Sequence, residues 1–193
     1  MAILSAPLGG TTICDAGTVA NRQRDNRGPP FASRGVSPTP WEMEKVPFRS
    51  RDAYRHWQPI VTRWSDNDMY GHVNNSVYYH WFDTAVNNWL MAAGCLDPGG
   101  GEVIGLVVET GCRYSRPLAY PQPVEIGLAV DHVGRSSVVY TLGAFAQGER
   151  EAAAEARFVH VYVDHATRRP CPIPATWRGA LSSIRLTDDD EAA

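Results

Sequence analysis

The sequence has no Cys-x-x-Cys pair; its four cysteines, Cys14, Cys95, Cys112 and Cys171, stand far apart. That argues against a thiolate zinc site and against a disulfide framework. Dispersed free thiols suit a reducing compartment, so the chain is expected in the cytoplasm. His132, His160 and His165 have no acids at metal-ligand spacing, and no metal is assigned. No apolar run approaches the ~20 residues that span a bilayer. The N-terminus lacks a basic start followed by an apolar core, so a secretory signal is not expected. There is no excess of one charge: 18 Lys and Arg stand against 21 Asp and Glu, a net charge of -3. Nothing electrostatic favours nucleic acid or an anionic membrane as partner.

Residues 1–45 lack periodicity and have almost no aromatic residue before Trp41. Such a segment buries too little apolar area to offset its ordering entropy, and it is expected to be a disordered extension. Arg22, Arg24, Arg27 and Arg34 would suit a transit peptide, but Gly28-Pro29-Pro30 breaks any amphipathic helix there. Residues 186–193 form an acidic tail. Between them, residues 46–185 are expected to make one domain, and a 44% share of hydrophobic residues supplies its core.

Within that domain, Trp57, Ile60, Val61, Thr62 and Trp64 make a short β-prone run. A crowded polar stretch follows, with Asp66, Asp68, Gly71, His72, Asn74 and Asn75. Asn74, Asn75 and Ser76 are N-cap residue types. Beyond them Tyr78, Phe82, Ala85, Trp89 and Ala92 recur at helical spacing. Val77, Trp81, Thr84 and Met91 widen that face, which predicts a long, largely buried helix. Gly94 stands where a left-handed C-terminal cap belongs.

After the loop at Asp97-Pro98-Gly99 the pattern becomes β: Val103–Tyr114, Val124–Val133, Ser137–Ala146 and residues 152–164. Short turns between the later strands favour antiparallel pairing. Ala175–Ser183 is a candidate short helix. A single helix beside one sheet is buried only if the sheet wraps it. A lone wrapped sheet also leaves bare edges, so self-association is expected.

The polar stretch, Arg63-x-x-Asp66-x-Asp68-x-x-Gly71-His72-Val73-Asn74-Asn75-x-x-Tyr78, resembles the hotdog-fold acyl-CoA thioesterases of the 4-hydroxybenzoyl-CoA thioesterase-like group. An acidic residue follows at Asp83, and weaker matches run from Glu109 to Pro117, through Gly134-Arg135-Ser136-Ser137, and from Phe158 to Pro174. The resemblance implies an α+β hotdog fold, an antiparallel sheet wrapped around one long central helix, assembled as a homodimer or homotetramer. It implies hydrolysis of an acyl-CoA thioester without a cofactor. The second Asp of the pair, Asp68, would be nucleophile or general base. Backbone N–H groups from Val73 to Asn75 would hold the oxyanion, and basic residues would meet the CoA phosphates.

The chemistry suits these residues. A carboxylate attacks directly or deprotonates water, a helix start offers preset donors, and a thiolate leaves readily without a strong acid. Each residue also has a plainer reading. Asp66 and Asp68 shape Asx turns, Gly71 permits a positive φ, and His72 bonds backbone or positions substrate. Tyr78, Trp81, Phe82 and Trp89 read as core. Asp83 and Glu109 are rival carboxylates. Arg135, Ser136 and Ser137 meet a CoA phosphate or simply turn a hairpin. Two other functions remain open: an enoyl-thioester hydratase or dehydratase, which would pair a histidine with an acid across the site, and a non-catalytic acyl-CoA-binding module. Residues 1–45 lack the helix-turn-helix periodicity that a DNA-bound sensor would need.

Overall fold

The structure, a computed structural model, describes residues 47–186. The expected extension 1–45 and residues 187–193 of the acidic tail lie outside the described residues. The elements are β1 (His56–Ile60), α1 (Asn75–Ala92), β2 (Val103–Tyr114), β3 (Val124–Val133), β4 (Ser137–Ala146), β5 (Ala154–Asp164) and α2 (Ala175–Ser183). All five strands pair antiparallel in one sheet of order β1-β3-β4-β5-β2. The sheet wraps α1. This is the α+β hotdog arrangement that the sequence implies.

The helix is set by local signals at both ends. The Asn74 side chain accepts from Ser76 N at 3.0 Å, which caps the first turn. At the other end Gly94 takes φ 68°. Gly94 N donates to Met91 O (3.1 Å) and Cys95 N to Leu90 O (2.8 Å), so the last carbonyls are satisfied. Phe82, Ala85 and Val86 are fully buried between α1 and the sheet, where Ile126, Leu128 and Leu142 meet them. Burial of each large apolar side chain contributes roughly 2–3 kcal/mol.

Some expectations change. The buried stripe of α1 is narrower than predicted: Thr84, Met91 and Ala92 are exposed, whereas Val86 and Leu90 are buried. At 3.6 residues per turn, Thr84 and Met91 fall on the face opposite Phe82 and Trp89. The first strand stops at Ile60, because Pro59 supplies no ladder N–H and a 3-10 turn begins at Trp64. Trp64, expected in that strand, is 84% exposed. The last strand begins at Ala154, two residues later than predicted.

The outer face of the sheet is partly covered by residues 48–54. Gly127 and Gly143 are cross-strand partners, and a Cβ on either would lie 2.6 Å from Tyr54 atoms. The paired glycines therefore form the bed for the Tyr54 ring. Glu155, only 4% exposed, anchors the same segment through Arg49 N and takes a 2.6 Å ion pair from Arg113.

Candidate active site

The polar stretch folds as two linked turns between β1 and α1. The first is braced by Asp66, whose residue is 1% exposed. Its carboxylate accepts from Arg63 N (2.7 Å) and Arg63 Nε (3.0 Å), and Arg63 Nη2 lies 2.9 Å away. Its carbonyl accepts from Asn74 N at 2.9 Å. Asp66 thus ties the approach of the turn to the cap of α1, by side chain and main chain together.

The second turn is built on Asp68. Gly71 N donates to Asp68 O (3.1 Å) and Asp68 N to His72 O (2.8 Å). Gly71 closes the turn at φ 80°, a conformation that costs a residue with a Cβ roughly 1 kcal/mol or more. Asp68 Oδ1 accepts from Tyr70 N at 2.8 Å and, more weakly, faces His72 N at 3.4 Å. Oδ2 has no partner among the described residues. The side chain is therefore oriented through one oxygen while the other stays available.

Asp68 opens on a cleft of about 420 Å³ lined also by His72, Val73, Asn75, Tyr78, Tyr114 and Arg116. Tyr78 and Tyr114 meet edge-on, with ring centroids 5.2 Å apart, and form the apolar wall. Burial raises the pKa of both phenols above the usual tyrosine range, so they stay neutral. Arg116 brings a cation to the rim, steadied by the Glu151 carbonyl at 3.0 Å.

The N–H groups at the helix start are not equivalent. Val73 N donates to Leu118 O (2.8 Å) and Asn74 N to Asp66 O (2.9 Å). Ser76 N serves the Asn74 cap. Of the three donors expected from Val73 to Asn75, only Asn75 N is left without a partner among the described residues. It lies at the positive end of α1, in the wall of the cleft that holds Asp68.

The other predicted residues are elsewhere. Asp83 is exposed on the flank of α1 and does not line the cleft. Glu109 is exposed on β2 and pairs with Arg157. The β3–β4 turn is held by its own carbonyls: Arg135 O accepts from Ile173 N (2.9 Å) and Arg178 Nη2 (3.0 Å), and Ser136 O from Tyr162 N (2.7 Å). Gly134 N donates to Ser137 O at 2.8 Å, closing the main chain between β3 and β4. The wall from Tyr114 to Pro117 was missed as part of the site. Its sequence signal was the strand stop at Arg116-Pro117, which says nothing of the cleft it would reach.

A sequence profile described as the thioesterase-like superfamily matches residues 62–181. No protein of curated function matches. Among solved structures, the PA5185 protein of Pseudomonas aeruginosa strain PAO1 is 53% identical over 73% of this chain and 99% of its own, with a TM-score of 0.71. The PA2801 protein of Pseudomonas aeruginosa, a thioesterase candidate, is 30% identical over 65% of this chain and 97% of its own, with a TM-score of 0.61. The fold also matches Slr0204, a 1,4-dihydroxy-2-naphthoyl-CoA thioesterase from Synechocystis, at 16% identity over 65% of this chain and 94% of that one, with a TM-score of 0.59. The profile match spans the whole of the turn from Arg63 to Asn75, the cleft, α1 and strands β2 to β5. The chain belongs to the thioesterase-like superfamily and has the hotdog fold.

Proposed function

We propose that the chain hydrolyses an acyl-CoA thioester to a free acid and CoA, with Asp68 as the reacting carboxylate. The observation that carries this is the division of labour at Asp68. Oδ1 is held by Tyr70 N, and Oδ2 is unpartnered beside a cleft whose wall supplies the free Asn75 N–H. In direct attack, Oδ2 bonds to the thioester carbon, the C–S bond breaks and CoA leaves as thiolate. Water then opens the acyl-aspartate anhydride. In the base-assisted route, Oδ2 takes a proton from water as that water attacks. In both, negative charge develops on the carbonyl oxygen. In this reading the Asn75 N–H receives it, a donor worth roughly 3–4 kcal/mol in acyl transfer. Gly71 allows the tight turn, Asp66 steadies it, and His72 at the cleft positions the substrate.

The edge strand supports self-association. β2 is a free edge on which Leu106, Val107 and Val108 are 38%, 46% and 60% exposed. A second copy adding β2 to β2 would bury this row and satisfy its ladder groups. We propose a homodimer on this edge, with a tetramer built from such dimers. The substrate is small and thiol-linked, and no helix among the described residues is long and apolar enough to cross a membrane.

The test is release of free thiol from a panel of aromatic, short and medium acyl-CoAs, with hydration of an enoyl-CoA measured alongside. Thiol release that is lost in Asp68→Asn supports the proposal. Hydration without thiol release, or full activity in Asp68→Asn, overturns it.

A further inference from the structure

Two tyrosines share the wall of the Asp68 cleft, but their hydroxyls differ. Tyr78 is 2% exposed, and its phenol faces the Leu118 main chain. Tyr114 is 44% exposed, and its hydroxyl lies 3.5 Å from the Asn75 carbonyl. That is long for a bond donated by a hydroxyl, which prefers about 2.7–2.8 Å. Asn75 is also the first residue of α1, so its carbonyl belongs to the helix ladder, where the N–H four residues on is its donor. The Tyr114 hydroxyl is thus held weakly, by an acceptor that has a better partner.

The base of this side chain is fixed while its tip is not. Tyr114 ends β2 and pairs with Ala154 of β5. Ser115 Oγ donates to Ala152 O at 2.7 Å and Ser115 N to Ala153 O at 2.9 Å, which pins the chain just beyond the strand. The ring leans edge-on against Tyr78, with centroids 5.2 Å apart. Burial, with the neighbouring Cys112 thiol, raises the Tyr114 pKa above the usual phenol range. The hydroxyl therefore keeps its proton, and remains a donor, wherever a carboxylate is ionised.

The tip also lies close to the donor at the helix start. Within any one residue, bond lengths and angles hold N and the carbonyl O no more than about 3.6 Å apart. Tyr114 Oη is therefore within about 7 Å of Asn75 N. Both residues line the cleft with Asp68. An oxyanion bonded to two donors, each at roughly 2.7–3.1 Å, bridges a span of up to about 6 Å. The exposed phenol has room to close the difference.

We infer that Tyr114 Oη is a second oxyanion donor, hydrogen-bonding the thioester carbonyl oxygen together with the Asn75 N–H. This deepens the thioesterase reading and rests on it. As negative charge grows on that oxygen the bond strengthens, because bonds to an ionised acceptor are roughly twice as strong as neutral ones. The proton stays on Tyr114 throughout, so none has to be returned when the C–S bond breaks. The Asn75 carbonyl keeps its helix donor when the phenol turns away, and no polar group is left unpaired by the exchange.

The experiment reads the carbonyl itself. Octanoyl-CoA and benzoyl-CoA, isotopically labelled at the thioester carbonyl, are bound in turn to full-length Asp68→Asn and to the double variant Asp68→Asn/Tyr114→Phe, each first confirmed folded by its melting curve. Difference infrared spectra follow the carbonyl stretch, and neither protein has to turn over. The stretch should fall on binding to Asp68→Asn and return part of the way to its free value in the double variant. In a second arm, Tyr114→Phe alone, which keeps the ring in the wall, should lower kcat for thiol release by roughly 10²-fold with KM changed by less than about twofold. A stretch that depends on Tyr114 without any thiol release from the wild type would sink the thioesterase reading and leave the carbonyl contact standing. A stretch identical in the two bound proteins, a loss confined to KM, or no binding of either probe would overturn the inference.

Discussion

Replacing Asp66 by Asn probes how the turn that carries Asp68 is held. The carboxylate receives a backbone N–H at 2.7 Å and a guanidinium N–H at 3.0 Å, with a second guanidinium nitrogen at 2.9 Å. Hydrogen bonds to a charged group contribute about 1.5–3 kcal/mol each when buried. The Arg63 side chain is 67% exposed, so solvent screens its share. The backbone bond persists in part, because the amide oxygen still accepts. The balance is a loss of about 2–3 kcal/mol. For a domain of this size that lowers Tm by roughly 6–10 °C. Circular dichroism melting measures it directly. The same change loosens the link between Arg63 and the α1 cap, so thiol release should fall at a temperature where the variant is fully folded. A Tm shift under about 2 °C, with unchanged kcat, would refute the claim that Asp66 braces the turn.

Three further changes test other parts of the account. Gly143→Ala puts a Cβ 2.6 Å from Tyr54 Oη and Phe145 Cε2, so overpacking should cost about 1–3 kcal/mol in chemical denaturation. Asn74→Ala removes the acceptor of Ser76 N and should cost about 1 kcal/mol by the same measurement, with Asn74→Ser recovering most of it. His160 has a folded pKa of about 4, below its ordinary value, so the unfolded chain binds the proton first as pH falls. Its contribution is complete above about pH 6.5 and is lost as the pH drops towards 4. Between pH 6.5 and 4.5 the wild type should lose about 2–3 kcal/mol more than His160→Gln, read from paired denaturant titrations.

Much of the fold was legible because its boundaries are local. The limits of β2, β3 and β4 coincide with the predicted runs, where Pro and Gly punctuate the chain. Gly94 ended α1 for the same reason: the left-handed cap is a property of one residue. The gathering of Asp68, His72 and Asn75 at one cleft was also legible, since they are close in sequence and a single turn brings them together. What sequence spacing could not supply is long-range. Val73 N and Asn74 N are spent on Leu118 and Asp66, and this narrows three candidate oxyanion donors to Asn75. Tyr114 and Arg116 reach the cleft only because β2 pairs with β5 at the sheet edge. The burial of His160 without partners depends on the approach of a glycine on another strand. Where the prediction widened the apolar face of α1 to Thr84 and Met91, it counted residue types rather than angles around the helix.

The central claim is that the Asp68 carboxylate reacts with the thioester. The most direct measurement is the rate of thiol release at saturating acyl-CoA for the wild type, Asp68→Asn and the rival-carboxylate control Glu109→Gln, each confirmed folded. Loss of the reacting carboxylate should slow kcat by roughly 10²–10⁴, while Glu109→Gln stays near the wild-type rate. An Asp68→Asn protein that turns over at the wild-type rate would contradict the account.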